Sequence, residues 1–202
     1  MCQRHCPRSH TGAALALILL AMGTAHAAEP IADKSLFNPG ALAPTDSRLN
    51  VHVGQEAPDF ELPAIDGKRV RLSDFRSRKN VVISFVPAAW TPVCSSQWPG
   101  YDLAYELFEQ NDAVILGITV DNAATLHAWT VAMKGLSFPV LSDFWPHGAV
   151  ADTYGVLRSD GTSERALFVI DRTGVIRYID VHDINERPDL GVVIRELRKL
   201  RQ

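Results

Sequence analysis

A run of apolar residues near the middle of the chain predicts a buried strand. Residues 81–86 are apolar except for Ser84, a pattern typical of a strand that is buried on both faces of a sheet. Pro87 ends this strand, because proline has no N–H group to donate to a neighbouring strand. A short loop over residues 88–93 then leads to Cys94 and a predicted helix. Cys94 therefore lies at a strand–loop–helix junction.

The helix predicted after this junction carries its large side chains on one face. Four residues recur at the i, i+3, i+4, i+7 spacing of an amphipathic helix: Tyr101, Ala104, Tyr105 and Phe108. Pro99 and Gly100 are poor helix formers, and we expect them to kink or break the helix after its first turn.

Patterns on either side of this stretch predict one α/β domain. An Asp66-Gly67 turn, next to a segment in which apolar and charged residues alternate, indicates a hairpin. Residues 73–75 fit a short helical turn. Further strands are predicted at residues 113–120, 138–141, 166–170 and 175–179, and further helices after Asp121 or Asn122, over residues 149–154 and from Asp189. Strands that alternate with helices, followed by a hairpin and a last helix, predict a central mixed β-sheet flanked by helices.

The first 27 residues have the pattern of a secretory signal peptide. Arg4 and Arg8 precede ten apolar residues, 13–22, and Ala25-His26-Ala27 forms a cleavage motif. Ten apolar residues are fewer than the roughly 20 that span a bilayer, so a retained helix or membrane anchor is the weaker alternative. We expect cleavage after Ala27 and a secreted or periplasmic protein.

A proline-containing segment separates the predicted signal peptide from the domain. Residues 28–50 contain Pro30, Pro39 and Pro44, and their apolar residues do not recur at the spacing of a helix or a strand. This composition indicates a flexible leader or an arm that lies on the surface. The domain is then expected to occupy residues 51–202.

Charge and cysteine content narrow the range of functions. The net charge of −3 becomes −5 once the two arginines of the signal peptide are removed, and without a basic tract neither nucleic acid nor an anionic membrane is expected as a partner. Cys2 and Cys6 are also removed, which leaves Cys94 alone. A lone cysteine is either an inert thiol or a reactive centre. Its position favours the reactive alternative, because free N–H groups and the dipole at a helix start stabilise a thiolate.

The residues around Cys94 resemble the active site of the peroxiredoxins. Residues 87–94, PAAWTPVC, match the family pattern P-x-x-x-T-x-x-C. Other landmarks follow in the family's order: APDF at 57–60, Ser-Asp at 142–143, Tyr-Gly-Val at 154–156 and an arginine, Arg165, that opens a strand. The resemblance covers about residues 53–200, and SDFWPHGAV at 142–150 is most similar to the one-cysteine alkyl hydroperoxide reductase E type. It implies a thioredoxin-like fold with an N-terminal hairpin extension, reduction of peroxides and frequent homodimers.

The resemblance also implies a role for each site residue. Cys94 would attack the terminal oxygen of the peroxide and become a sulfenic acid. Thr91 would place its hydroxyl beside the thiolate and the peroxide, and Arg165 would hold the thiolate and polarise the peroxide. Pro87 would shield the pocket without offering a competing donor. The N–H groups of Val93 and Cys94 are further candidate donors.

Two departures from the family pattern affect the mechanism. Many peroxiredoxins have a glutamate three residues after the cysteine, where this chain has Gln97, so the orientation of Arg165 needs another explanation. Pro99 stands where one subfamily has a resolving cysteine. An external thiol, or a thioredoxin- or glutaredoxin-like reductant, is therefore expected to reduce the sulfenic acid, with no intramolecular disulfide.

Other side chains have less specific interpretations. Trp90 and Trp98 flank the cysteine and either line the pocket or pack in the core or a dimer contact. Four histidines show no metal-ligand spacing, and neither a metal nor another cofactor is expected: His52, His127, His147 and His182.

The sequence is also compatible with two other functions. One is an exported thiol–disulfide oxidoreductase on the same fold, although that chemistry usually needs C-x-x-C, and here Thr91 and Gln97 stand three residues to either side of the cysteine. The other is a non-catalytic binding domain in which Cys94 is merely retained. A role in copper delivery is weaker, because no second cysteine accompanies Cys94.

Overall fold

The computed structural model describes residue 1, residue 31 and residues 33–201. The strands are β1 (Glu61–Pro63), β2 (Arg69–Arg71), β3 (Asn80–Phe85), β4 (Ala113–Thr119), β5 (Val140–Ser142), β6 (Arg165–Ile170) and β7 (Ile176–His182). The helices are α1 (Pro92–Leu103), α2 (Tyr105–Glu109), α3 (Ala123–Ala132), α4 (Ala149–Tyr154) and α5 (Leu190–Lys199). Short 3₁₀ turns cover Asp33–Ser35 and Leu72–Phe75.

The main sheet has five strands in the order β5-β4-β3-β6-β7. Strands β3, β4 and β5 are parallel, while β6 is antiparallel to β3 and β7 is antiparallel to β6. The predicted mixed sheet is confirmed, and the arrangement is the thioredoxin-like fold. Strands β1 and β2 form the predicted hairpin as a separate two-stranded sheet.

Alternating side chains of the central strands enter two hydrophobic cores. On one face, Ile83 and Phe168 pack with the hairpin and α4. On the other face, Val82 and Val169 pack with residues of α1, α2, α3 and α5. All six residues of β3 are buried, which agrees with the continuous apolar run in the sequence.

Of the two predicted outcomes at Pro99, a kink or a break, the break does not occur, because helix α1 runs through Pro99 without ending there. It continues to Leu103, and Ala104, with φ −102° and ψ 13°, separates it from α2. Pro99 removes one main-chain hydrogen bond, but the adjacent Trp98 and the nearby Tyr101 are both buried. Their packing stabilises the helix across the proline, so the break occurs five residues later.

Gly117 on β4 allows α1 to lie close to the sheet. A Cβ atom at this position would come within 2.8 Å of the indole ring of Trp98. The missing side chain therefore makes room for Trp98, which lies one turn after Cys94 in the same helix.

The other elements agree with the sequence patterns apart from their ends. The side chain of Asn122 accepts a hydrogen bond from the Thr125 N–H and caps α3. Strand β5 begins at Val140, two residues later than predicted, and β7 extends to His182. No helix among the described residues has the length and apolar character needed to cross a membrane.

The segment before the domain lies along its surface over residues 37–50. Its main chain is hydrogen-bonded to the domain at several points, from Phe37 near the loop before α1 to Asn50 beside the end of α4. Gly155 accommodates the close crossing, because a Cβ atom there would lie 2.2 Å from the Arg48 carbonyl oxygen. Apart from residue 1, the predicted signal peptide lies outside the described residues.

Candidate active site

Cys94 is the third residue of α1 and is fully buried. Strand β3 ends at Phe85, and residues 86–91 form the loop that brings the chain to the start of the helix. Pro92 is the first helical residue, a position that suits proline because its fixed φ matches the helix and no N–H is needed there. The N–H groups in this first turn have no intrahelical acceptor, so they are available to an anion beside Cys94.

Arg165 reaches Cys94 because of the pairing between two adjacent strands. It opens β6, and Phe85 at the end of β3 is paired with Ala166, so Arg165 lies opposite the loop that leads to α1. Its Nη2 atom is 3.6 Å from the Sγ atom of Cys94. The structure therefore brings together two predicted site residues that are 71 positions apart.

Two oxygen acceptors hold the guanidinium of Arg165 in this position. The carbonyl oxygen of Ile184 accepts from Nε at 3.2 Å and from Nη2 at 3.0 Å. The Oε1 atom of Gln97 accepts from Nη1 at 2.5 Å. No carboxylate of the described residues forms an ion pair with Arg165, so its positive charge stays available to stabilise a thiolate.

Gln97 is itself held in place inside the protein. It is fully buried, and its amide nitrogen donates to Ser84 Oγ at 3.4 Å and to the Tyr101 hydroxyl at 3.3 Å. Burial raises the pKa of Tyr101 above its ordinary value, which keeps the phenol neutral. Gln97 thus orients Arg165 as an uncharged acceptor, which explains how the site is organised without the family's glutamate.

The hydroxyl of Thr91 has a defined orientation. Thr91 is the residue before α1, with extended backbone angles, and its side chain does not cap the helix. Instead its Oγ1 atom lies 2.9 Å from the carbonyl oxygen of Ala88. A carbonyl can only accept, so Thr91 must donate its proton there. Its oxygen lone pairs remain able to accept a hydrogen bond from another group.

Asp121 supports the loop and was not assigned this role from the sequence. Its Oδ2 atom accepts from the N–H of Ala89 at 2.8 Å and from the hydroxyl of Thr119 at 2.5 Å. Asp121 follows β4, which is parallel to β3, so the two strands end at the same edge of the sheet. The position of Asp121 directly after a predicted strand could have indicated from the sequence that it lies near the Cys94 loop. No signal could have identified the Ile184 carbonyl, because every residue has one.

A cavity of about 610 Å³ lies next to this arrangement. Pro87, Thr91 and Arg165 all border it, while the fully buried Cys94 lies behind them. The structure thus places all four predicted site residues at or directly behind one cavity. Pro87 borders the cavity and has no N–H group to offer there; its predicted role as a shield stays a prediction.

The two tryptophans beside the cysteine do not line this cavity. Trp98 is fully buried, and its ring centroid lies 5.0 Å from that of Trp129. Its indole N–H donates to Ser84 Oγ at 3.1 Å. Packing in the core is therefore the correct alternative for Trp98. Trp90 adopts a positive φ of 62° in the loop.

The histidines form no metal site in the described part of the chain. No group of three or more His, Cys, Asp or Glu side chains there is arranged to hold a metal ion. The Nδ1 atom of His182 instead lies 3.3 Å from a carboxylate oxygen of Asp180.

Sequence comparison places the domain among known proteins. The model of the AhpC/TSA family matches residues 53–179. Alkyl hydroperoxide reductase E of Mycobacterium tuberculosis is 38% identical over 140 residues, which cover 69% of this chain and 91% of that protein. Peroxiredoxin-2 of Rattus norvegicus is 38% identical over 145 residues, which cover 67% of this chain and 72% of that protein.

Solved structures show the same fold. The reduced 2-Cys peroxiredoxin of Plasmodium vivax superposes with a TM-score of 0.69 at 28% identity, covering 75% of this chain and 82% of that one. AhpC of Mycobacterium tuberculosis also gives a TM-score of 0.69, at 24% identity, covering 75% of this chain and 94% of that one. The family match, the relatives and the Cys94–Arg165 geometry agree, and the chain belongs to the AhpC/TSA family of peroxiredoxins.

Proposed function

We propose that this protein is a thiol peroxidase that reduces hydrogen peroxide and organic hydroperoxides at Cys94. The contact between Arg165 and Cys94, at 3.6 Å from Nη2 to Sγ, carries this proposal. Arg165 also borders the cavity, so one permanently charged group can contact both the thiolate and an entering peroxide.

The reaction is a displacement at oxygen. The Cys94 thiolate attacks the terminal peroxide oxygen, an S–O bond forms and the O–O bond breaks. The other oxygen leaves with the bonding electron pair and takes up a proton, which gives water or an alcohol and a Cys94 sulfenic acid. Because Cys94 is fully buried, the peroxide reaches the sulfur through a small movement of the side chains between it and the cavity.

Stabilisation of the transition state is the larger part of the catalysis. Negative charge spreads over both oxygens as the O–O bond stretches, and donors already in place lower the barrier most effectively. Arg165 supplies such donors, and the first-turn N–H groups of Val93 and Cys94 are candidates for the others. The Thr91 oxygen accepts a hydrogen bond from the peroxide O–H, since its own proton is directed to the Ala88 carbonyl.

Recycling follows a one-cysteine mechanism. Cys94 is the only cysteine after residue 6, so an external thiol reduces the sulfenic acid. The first thiol releases water and forms a mixed disulfide, and a second thiol then releases Cys94. Mass spectrometry without reductant, after one equivalent of peroxide, should show the gain of one oxygen. A mass that shows no added oxygen on Cys94 would contradict this mechanism.

Stopped-flow tryptophan fluorescence tests the proposed activity. The reduced mature protein is mixed with hydrogen peroxide and, separately, with an organic hydroperoxide. We expect Cys94 to react far faster than free cysteine, and the signal should be absent from Cys94→Ser. A wild-type rate no faster than that of free cysteine would overturn the proposal.

We also propose that the protein is exported and acts as a homodimer. The signal-peptide pattern of residues 1–27 supports secretion or delivery to the periplasm. N-terminal sequencing of exported protein should begin at Ala28, and a retained Met1 would contradict export by cleavage. Light scattering coupled to gel filtration should give twice the mass of the mature chain, whereas the mass of one chain would exclude the dimer.

A further inference from the structure

The segment before the domain forms one wall of the active-site cavity. Residues 37–42 all border the cavity, together with residues of the loop and the start of α1. We call residues 37–46 the arm. The arm lies outside residues 53–179, the part matched by the family model. The family model therefore says nothing about this wall of the cavity.

A buried ion pair next to the active site anchors the arm. Arg158 and Glu164 are 2.6 Å apart, with side chains 5% and 0% exposed. Arg158 also donates to the Ala43 carbonyl at 3.1 Å, and Glu164 accepts from the Asp46 N–H at 2.6 Å. Glu164 directly precedes Arg165, so the same strand end carries the anchor of the arm and the catalytic guanidinium.

Asn185 holds the arm beside the cavity through two hydrogen bonds. Its side chain accepts from the Leu42 N–H at 2.9 Å and donates to the Leu42 carbonyl at 2.9 Å. The neighbouring Ile184 donates its N–H to the Pro44 carbonyl at 3.2 Å, and the carbonyl of Ile184 holds Arg165. One short segment after β7 therefore fixes both the arm and the catalytic arginine.

The cavity is much larger than hydrogen peroxide requires. Its volume of about 610 Å³ is about twenty times the share of one water molecule in the liquid, about 30 Å³. It falls in the range of about 300–1,000 Å³ that is typical of pockets for small organic ligands. Its size therefore favours a peroxide that carries an organic group.

The chemistry of the lining favours an uncharged apolar group. Much of the lining is apolar, from the arm (Phe37, Pro39, Ala41 and Leu42) and from the domain (Pro87, Ala88, Val93 and Ile184). Among the described residues of the lining, Arg165 is the only cation and is committed to the sulfur and the peroxide, and Asp160 is the only anion. A carboxylate on the tail would lack a second cation and would be repelled by Asp160.

We propose that the arm is a specificity-determining wall that binds the tail of uncharged organic hydroperoxides. This inference rests on the proposed peroxidase activity and adds the substrate class and the element that selects it. The wall favours a bulky apolar hydroperoxide over hydrogen peroxide through burial of apolar surface.

Leu42→Trp and Asn185→Ala test the wall in the otherwise intact mature chain. The first substitution fills the tail site, and the second removes both hydrogen bonds that pin Leu42. The second-order rate constant of Cys94 oxidation is measured with cumene hydroperoxide and with hydrogen peroxide. We expect wild type to prefer cumene hydroperoxide. The ratio of the two constants should fall about tenfold in each variant, equivalent to about two buried methylene groups, with the hydrogen peroxide constant within about twofold.

Leu49→Trp is the matched control, because Leu49 is an exposed leucine of the same segment that does not border the cavity. Its ratio should equal that of wild type. A wild-type preference for hydrogen peroxide, an unchanged ratio in Leu42→Trp, or an equal loss with both peroxides would each overturn the role of the arm. Failure of the peroxidase proposal is a different result, because wild type would then react with neither peroxide faster than free cysteine.

Discussion

The side-chain oxygen of Gln97 accepts a hydrogen bond from Arg165 at 2.5 Å, and this contact orients the guanidinium toward Cys94. Gln97 lies one helical turn after Cys94, and its amide nitrogen is bonded to Ser84 and Tyr101. An uncharged side chain therefore positions the guanidinium of Arg165 without neutralising it.

Replacement of Gln97 should separate positioning from charge. In Gln97→Leu the Nη1 atom of Arg165 loses its acceptor, and we expect peroxide reduction to slow about 100-fold through misplacement of the guanidinium. Gln97→Glu keeps an oxygen acceptor and should stay within about tenfold of wild type. Stopped-flow oxidation of Cys94 measures both variants. A Gln97→Leu rate equal to that of wild type would show that Ile184 alone holds Arg165.

Arg165→Lys should show that the shape of the guanidinium matters beyond its charge. The lysine ammonium cannot donate to the Ile184 carbonyl, Gln97 and the Cys94 sulfur at once, because it lacks the planar arrangement of donors of a guanidinium. We expect the rate constant with peroxide to fall about 100- to 1,000-fold, as for loss of a preorganised donor. Arg177→Lys, at a partly exposed ion pair on β7, is the control and should react like wild type. Equal rates for Arg165→Lys and wild type would exclude the proposed role.

Thr91 can be tested with a substitution of nearly the same shape. Thr91→Val keeps the volume but removes the oxygen that we propose accepts a hydrogen bond from the peroxide O–H, so we expect a loss of about 10- to 100-fold in the rate constant. Thr91→Ser retains the hydroxyl and should recover most of the rate. If the valine variant is as fast as the serine variant, the hydroxyl has only a structural role in the loop.

The turn between β6 and β7 should make stability depend on pH. Partial burial raises the pKa of Asp171, but hydrogen bonds from Thr173, Val175 and Arg177 outweigh it and hold the pKa below the ordinary value of 3.8. A carboxyl with a lowered native pKa stabilises the fold fully above the unfolded pKa and loses that contribution as the pH falls through the native pKa.

Asp171→Asn should therefore lower the free energy of unfolding at pH 7 by about 1–2 kcal/mol. This is at the lower end of the contribution of hydrogen bonds to a charged group, because asparagine keeps one oxygen acceptor. The difference from wild type should shrink as the pH is lowered below 3.8. Urea denaturation at pH 7 and at about pH 3 measures it. A difference that is the same at both pH values would show that the charge of Asp171 contributes nothing.

The sequence alone predicted the elements whose formation depends on local patterns. The apolar run at residues 81–86 indicated a strand buried on both faces. The structure confirms the helix predicted over residues 149–154, and of the two predicted caps, Asp121 and Asn122, it is Asn122 that caps α3. The predicted alternative of a helix break at Pro99 was wrong, because burial of the neighbouring Trp98 and Tyr101 outweighs the local preference to end the helix. Propensity is a weak determinant beside tertiary packing.

The site around Cys94 also has features that the sequence predicted and features that only the tertiary structure shows. Pro87, Thr91 and Cys94 lie within eight residues, so their motif was visible in the sequence, and Arg165 was identified by resemblance. Only the tertiary structure decided that Gln97 and the Ile184 carbonyl hold Arg165. It also decided that residues 37–42 line the cavity. These contacts join distant segments through strand register and main-chain groups, and a main-chain carbonyl or N–H is the same in almost every residue. No local pattern encodes them.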